Sequence, residues 1–242
     1  DFAFASGAVV PRLDLYPNTF VQMTDSWTYN GSAMRRRDGL LLLTRDFGNE
    51  YGSAFLNLKR DVSVAWTAEF SWRVYSTSAT PADGFALILQ NDARGPRAIG
   101  QQATFLGYGG AVGNRITNSL AIGFDIYNQR LYLGTNGVWA SAFAQIPDLR
   151  TAPAYIAVSH DGAGTMTVRI RSLGNDYTYS LPAALTAAIG STEAYVGLSA
   201  GTGGSPGMHS ISAFTFDAGA PSGTAVRYGG SATLAASGTL SA

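Results

Sequence analysis

The chain has 242 residues, with 16 Lys+Arg balancing 16 Asp+Glu, 46% apolar residues and only 13% charged ones. This apolar content supports a core and excludes whole-chain disorder, while zero net charge argues against a nucleic-acid partner. With no Cys, two His (His160 and His209) and three Glu (Glu50, Glu69 and Glu193), thiol nucleophiles, disulfides and most zinc sites are excluded.

In chain order, the first feature is a run of three arginines, Arg35, Arg36 and Arg37. Alone it reads as a solvated turn, with an anionic polymer as the alternative contact. Between Ala65 and Tyr75, Trp66, Phe70, Trp72 and Val74 fall on one parity, and Thr67, Glu69, Ser71 and Arg73 on the other. That alternation predicts a strand with one buried face. Phe85–Leu89 and Ile211–Phe216 are apolar on both parities or nearly so, which predicts the two deepest strands. Asp161-Gly162-Ala163-Gly164 followed by the alternating Thr165–Arg171 reads as a hairpin. One segment, Leu181–Ile189, carries a helix signal, with Pro182 in the first turn and Gly190 as the stop.

Many short strands, Gly-rich connections (29 Gly) and almost no helix predict an all-β, antiparallel jelly-roll sandwich rather than an α/β fold. No apolar stretch reaches the roughly 18 to 20 residues of a membrane span, so no membrane insertion is expected. Composition shifts after Asp217. We expect a sandwich over 1–217 and a Gly/Ala/Ser-rich extended tail over 218–242. The tail segment Thr224–Leu234 resembles the opening strand of an immunoglobulin-like repeat of bacterial surface proteins, and alternating Val226, Tyr228, Ala232 and Leu234 could add a strand to a sheet edge.

Three ordered blocks carry a family resemblance: Pro81–Asp92, then Leu106-Gly107-Tyr108-Gly109-Gly110, then Asn118–Asp125. Two flanks agree with them, Gly52–Phe55 and Ala194–Gly203 leading to His209–Phe216. In order and spacing these are similar to the legume-type (L-type) lectins, over roughly residues 2–217. The resemblance implies a concanavalin A-like pair of large antiparallel sheets, with a sugar site in loops at one rim. By position the binding residues would be Asp83, the Gly109 or Gly110 amide, Asn128 and Tyr127, with Thr202, Gly203 and the rest of the loop to Met208 beside them. A carboxylate would accept vicinal hydroxyls, amides would donate, and a ring would cover the apolar sugar face. In the family the Asp follows a cis peptide bond, here Ala82–Asp83, supported by bound calcium.

The calcium loop is where this sequence departs from that pattern. The family has Glu-x-Asp, then an aromatic, an Asn at plus four and an Asp at about plus nine; here Gly123 stands for the Glu, Gln129 is at plus four and Gly134 at plus nine. Asn128 matches only with a one-residue shift. Asp125–Tyr127 and Arg130–Leu133 read as strands joined by a tight Asn128-Gln129 turn. Calcium takes six to eight oxygens, and Asp125 is the one carboxylate left for it. No cofactor and no metal site are expected.

Three functions follow. The first is a carbohydrate-binding module of an exported bacterial protein, acting outside the cell or on its surface, with a glycan or polysaccharide as partner. The second is a spacer, adhesin or filament subunit that has lost sugar binding and self-associates through its tail. A glycoside hydrolase is third and disfavoured, because it needs two carboxylates about 5 to 9.5 Å apart and no Glu has an acidic partner at strand spacing. Each site residue also has a plainer reading: Asp83 as a loop carboxylate accepting amides, Tyr127 as a cross-strand packing residue, His209 as a hydrogen-bonded structural histidine and His160 as a turn residue.

Overall fold

The structure, a computed structural model, describes residues 27–218 and the backbone of Phe2–Ala3 (β1) and Val9–Val10 (β2), which pair with each other. The following strands are β3 (Trp27–Gly31), β4 (Met34–Arg35), β5 (Leu41–Leu42), β6 (Tyr51–Leu56), β7 (Arg60–Asp61), β8 (Trp66–Tyr75), β9 (Gly84–Gln90) and β10 (Ser119–Asp125). After them come β11 (Arg130–Thr135), β12 (Val138–Gln145), β13 (Ala154–His160), β14 (Thr165–Ser172), β15 (Asn175–Pro182), α1 (Leu185–Ile189), β16 (Glu193–Gly201) and β17 (Met208–Ala218).

Two antiparallel sheets stack face to face. The first runs β12-β11-β10-β9-β16-β6-β3, with β7 also pairing β16; the second runs β15-β14-β13-β8-β17-β5-β4. Strand β8 alternates as its sequence predicts: Trp66, Ala68, Phe70, Trp72 and Val74 are buried, and Thr67, Glu69 and Arg73 face the partly open side. An aromatic column joins the sheets, with Trp72 stacked on Phe85 at 4.5 Å and Phe85 on Phe124 at 4.5 Å and 4°. Edge-to-face and offset ring contacts of this kind add to the area each ring buries.

Strands β9 and β10 are buried on both faces. Their inward residues, among them Phe85, Leu87, Ile122 and Phe124, belong to the main core. Ala86, Ile88 and Ala121 point the other way into a second, smaller core with Phe55, Ala98, Tyr108 and Ile116, roofed by residues 91–118. A loop can cover a sheet face only if its backbone polar groups are satisfied. Asp92 supplies this at the base, accepting from the Arg94 and Thr117 amides, the Arg94 Nε and Nη2 and the Thr117 hydroxyl at 2.8–3.0 Å. Arg94 in turn donates to the Ile99 and Arg115 carbonyls.

Three expectations are corrected. Ile211–Phe216 is not as deep as β9: Ile211 and Phe214 are buried, but Ser212, Ala213, Thr215 and Phe216 are half-buried, because a register shift between Ile211 and Ala213 breaks the alternation on a one-sided sheet. Pro182 is not in a helix; it closes the edge strand β15 opposite Thr165, where a missing N–H is tolerated, and the helix begins at Leu185 and ends on Gly190 at φ 71°. Strand β10 stops at Asp125, and a four-residue turn over 126–129, not a two-residue one, leads to Arg130. The hairpin at 161–164 forms as expected, with Asp161 Oδ1 accepting the Ala163 and Thr165 amides. Strand β17 continues through Ala218, one residue past the expected boundary. The tail reading over the remaining residues, 219–242, falls outside the described residues.

Candidate functional site

Asp83 immediately precedes β9, and cross-strand register places the end of β9 between its neighbours: Gly84 pairs with Asp125 of β10 and with Gly201 of β16. The turn over 126–129 and the loop after β16 therefore converge on Asp83. The Ala82–Asp83 peptide bond is cis, as the resemblance implies. Its flanking groups are fully engaged: Asp83 N–H donates to Gly201 O at 2.9 Å, while the Ile126 and Tyr127 amides donate to Asp83 O at 3.0 and 3.4 Å. His209 Nε2 lies 3.2 Å from Ala82 O, which makes Nε2 the protonated nitrogen. Burial pushes this histidine down to about 4, so it is neutral, and it packs beside Trp72 with Nδ1 buried and unpaired. The structural reading of His209 holds, and the carbonyl it meets adjoins Asp83.

The Asp83 side chain is partly buried. It accepts the Gly203 amide, and its Oδ2 is buried with no partner among the described residues. Burial pushes the carboxyl up to about 6; the nearby Asp125 charge adds to the rise and the Gly203 amide opposes it. Such an acceptor is costly unless something donates to it. Beside it Tyr127 is 52% exposed and Asn128 is exposed, both on the rim.

Of the residues expected from sequence, Asp83, Tyr127, Asn128 and Gly203 come together. Others do not. Gly109 donates its amide to Phe105 O and lies against Gly137 in the β11–β12 turn, so this amide is already engaged within the fold. Gly110 packs on the Gln101 side chain. The segment that reaches the Asp83 rim is instead the 3-10 turn Ala103–Phe105: Ala103 donates to Thr202 O and its side chain touches Gly203, and Phe105 is 42% exposed. The Gly109-Gly110 doublet looks in sequence like a close-approach site, whereas Ala103 takes a positive φ of 54° without being glycine. Thr202 is fully buried, its hydroxyl donating to Phe47 O at 2.8 Å and accepting the Glu50 amide at 2.9 Å, so it clasps two loops rather than facing a ligand.

The metal positions of the family can be tested on the donors present. Asp125 Oδ1 accepts the Asn128 amide and Oδ2 its side-chain N–H, each at 2.8 Å, so this carboxylate holds its own turn. Gly123, two residues earlier on the same outward parity, and Gly134 both lie under the Trp139 ring; a Cβ on either would come within 2.7 Å of it. Tyr108 packs on the same indole at 4.7 Å. An aromatic stack thus covers two of the four places where the family pattern requires ligating side chains. No group of three or more His, Asp or Glu suited to a cation occurs among the described residues. The residues present do not fit the paired metal site.

Asp83 and Asp125 are the carboxylates that sequence spacing missed, since they meet across strands rather than along one. Both Asp125 oxygens are engaged by Asn128.

Two stacked antiparallel sheets with loops converging at one rim form the jelly-roll sandwich. Residues 13–129 match the model of the legume-like lectin family, and the fold is that of the legume lectins. Solved structures agree in fold: a Bauhinia forficata lectin in complex with GalNAc (19% identity, TM-score 0.68, 82% of this chain and 94% of that one), arcelin-5, a lectin-like defense protein from Phaseolus vulgaris (16%, 0.68, 81% and 93%), and lectin I-B4 from Griffonia simplicifolia in a metal-free form (21%, 0.67, 83% and 97%). No curated protein matches the chain by sequence.

Proposed function

We propose that this domain is a carbohydrate-binding module that holds a sugar at Asp83 without a divalent cation and without catalysis. The observation that carries it is the buried, unpartnered Asp83 Oδ2 at a rim shared with Tyr127, Asn128 and Gly203. A sugar hydroxyl supplies the missing donor, and Tyr127 offers an apolar face. Support for independence from calcium is that Asn128 takes both Asp125 oxygens and that Ile126, Tyr127, Gly201 and His209 already hold the backbone around Asp83. We place the module outside the cell, on a bacterial surface, on the strength of the repeat-like residues 224–234.

A second reading, a spacer that has lost sugar binding, is favoured by the Asn128 side-chain amide, which spends one of its two N–H donors on Asp125. A glycan array run with and without chelator separates the two. Binding that persists in chelator and falls at least about tenfold in Asp83→Asn supports the module. An array with no signal, or with signal unchanged in Asp83→Asn, supports the spacer.

A further inference from the structure

A second polar hollow lies beside the Asp83 rim. Residues 76–81, the segment leading into Asp83, and residues 148–151, between β12 and β13, line an open hollow of about 350 Å³. That is at the lower end of the range for small-molecule sites. Its wall includes Tyr75, Ser78, Pro81, Asp148, Arg150 and Thr151.

Asp148 and Arg150 form a planar, bidentate pair, Nε to Oδ1 at 2.8 Å and Nη2 to Oδ2 at 2.7 Å, and the Arg150 backbone amide also donates to Asp148 at 2.9 Å. Charge-assisted bonds of this geometry lock both groups in place. The pair is neutral in sum, and it presents a carboxylate edge beside a guanidinium whose Nη1 is not part of it. That pattern suits a ligand with adjacent hydroxyls, which both donate and accept; it does not select an anion. Hydroxyls of Ser78, Thr80 and Thr151 line the same hollow. Tyr75, covered on one side by the Arg73 guanidinium at 4.2 Å, remains 40% exposed, and with Pro81 it gives the hollow an apolar wall.

Both walls of the hollow are tied to the rim along the chain. Pro81 is two residues from Asp83, Ile146 donates to Gln129 O at 3.0 Å and so ties the second loop to the 126–129 turn, and Arg150 lies within electrostatic reach of the Tyr127 hydroxyl. The Tyr127 ring is exposed.

We propose that the hollow at residues 76–81 and 148–151 is a second saccharide subsite, taking a neutral sugar residue of the same chain whose neighbour is held at Asp83. This rests on the reading of Asp83 given above. It makes the ligand an oligosaccharide crossing Tyr127, and the Asp148–Arg150 pair the group that reads its second residue.

The test is calorimetric titration of the intact chain with mannose, glucose and galactose oligomers of increasing length, from the monosaccharide upward. In a series that binds, affinity rises about tenfold or more from the single sugar to the longer members. Thr151→Trp, at an exposed position, and Arg150→Ala each remove that gain and leave the monosaccharide Kd unchanged. In the amide spectrum, Ser78 and Thr151 shift with the oligomer and not with the monosaccharide. Affinity independent of length, or a gain that survives Thr151→Trp, overturns the subsite alone. Monosaccharide binding unaffected by Asp83→Asn overturns the reading of Asp83 and the two-residue ligand with it, as does the absence of binding in all three series.

Discussion

Asp83 and Asp92 flank the same strand, β9, and differ in every respect that matters. Although burial opposes its ionisation, Asp92 is held well below the ordinary carboxylate range by the Arg94 guanidinium and by the amides and hydroxyl of Arg94 and Thr117. Asp83 has one amide and a like-charged neighbour, and burial lifts it to about 6. The first is a structural staple that closes a loop over the second core. The second is an acceptor the fold does not satisfy. The lesson is that burial alone does not assign a carboxylate a role; the number of donors aimed at it does.

The comparison breaks most visibly by mutation of the staple. Asp92→Ala leaves two backbone amides and a guanidinium without their acceptor and should cost about 3 kcal/mol in urea unfolding; a loss below about 1 kcal/mol would remove the staple from the account. Sugar affinity should next depend on pH through Asp83. The ionised carboxylate accepts hydroxyls, so binding should rise as pH passes about 6 and be flat in Asp83→Asn, as titration calorimetry across pH 4.5 to 8 would show.

Stability moves in the opposite sense. Because the folded value of Asp83 lies above its ordinary 3.8, the folded state binds the extra proton between those values, and this group's contribution falls as pH rises from about 4 to about 6. His209 works against it: its folded value of about 4 lies below the ordinary 6.5, so its contribution is full above 6.5 and is lost as pH falls towards 4. In Asp83→Asn the His209 loss should stand uncovered, giving a steeper acid decline of Tm than in the parent chain; identical declines would show that Asp83 is not shifted.

Smaller effects sharpen the same contrast. Tyr127→Ala removes an exposed ring from the rim and should weaken sugar binding about fivefold with Tm unchanged; an equal loss of stability would return Tyr127 to a packing role. Calcium or chelator should leave both Tm and affinity where they are, as the engagement of Asp125 by Asn128 predicts, and a calcium-dependent rise in Tm would restore the family's cation.

Much of the architecture was legible along the chain. The alternation of β8, the hairpin at Asp161, the stop at Gly190 and the deep β9 are local patterns, set by the two-residue period of a strand and by the backbone demands of a turn. The misjudged features share one property. Pro182, the breadth of the turn after Asp125 and the half-burial of Phe216 each depend on what lies across the ladder or above the sheet. The site divides likewise: Asp83 and Tyr127 were recognisable by motif, whereas Ala103–Phe105 in place of Gly109, and Asp125 beside Asp83, depend on which loop reaches which strand end.

The sequence by itself determined the all-β class, the place of Asp83 just ahead of a deep strand and the glycines at 123 and 134, because these follow from residue type and spacing. Only the tertiary structure decided that Trp139 covers those two glycines, that Asn128 takes the Asp125 carboxylate and that one Asp83 oxygen is left without a donor. Hydrogen-bond satisfaction is a property of neighbours brought together from distant parts of the chain, and no run of residues records it.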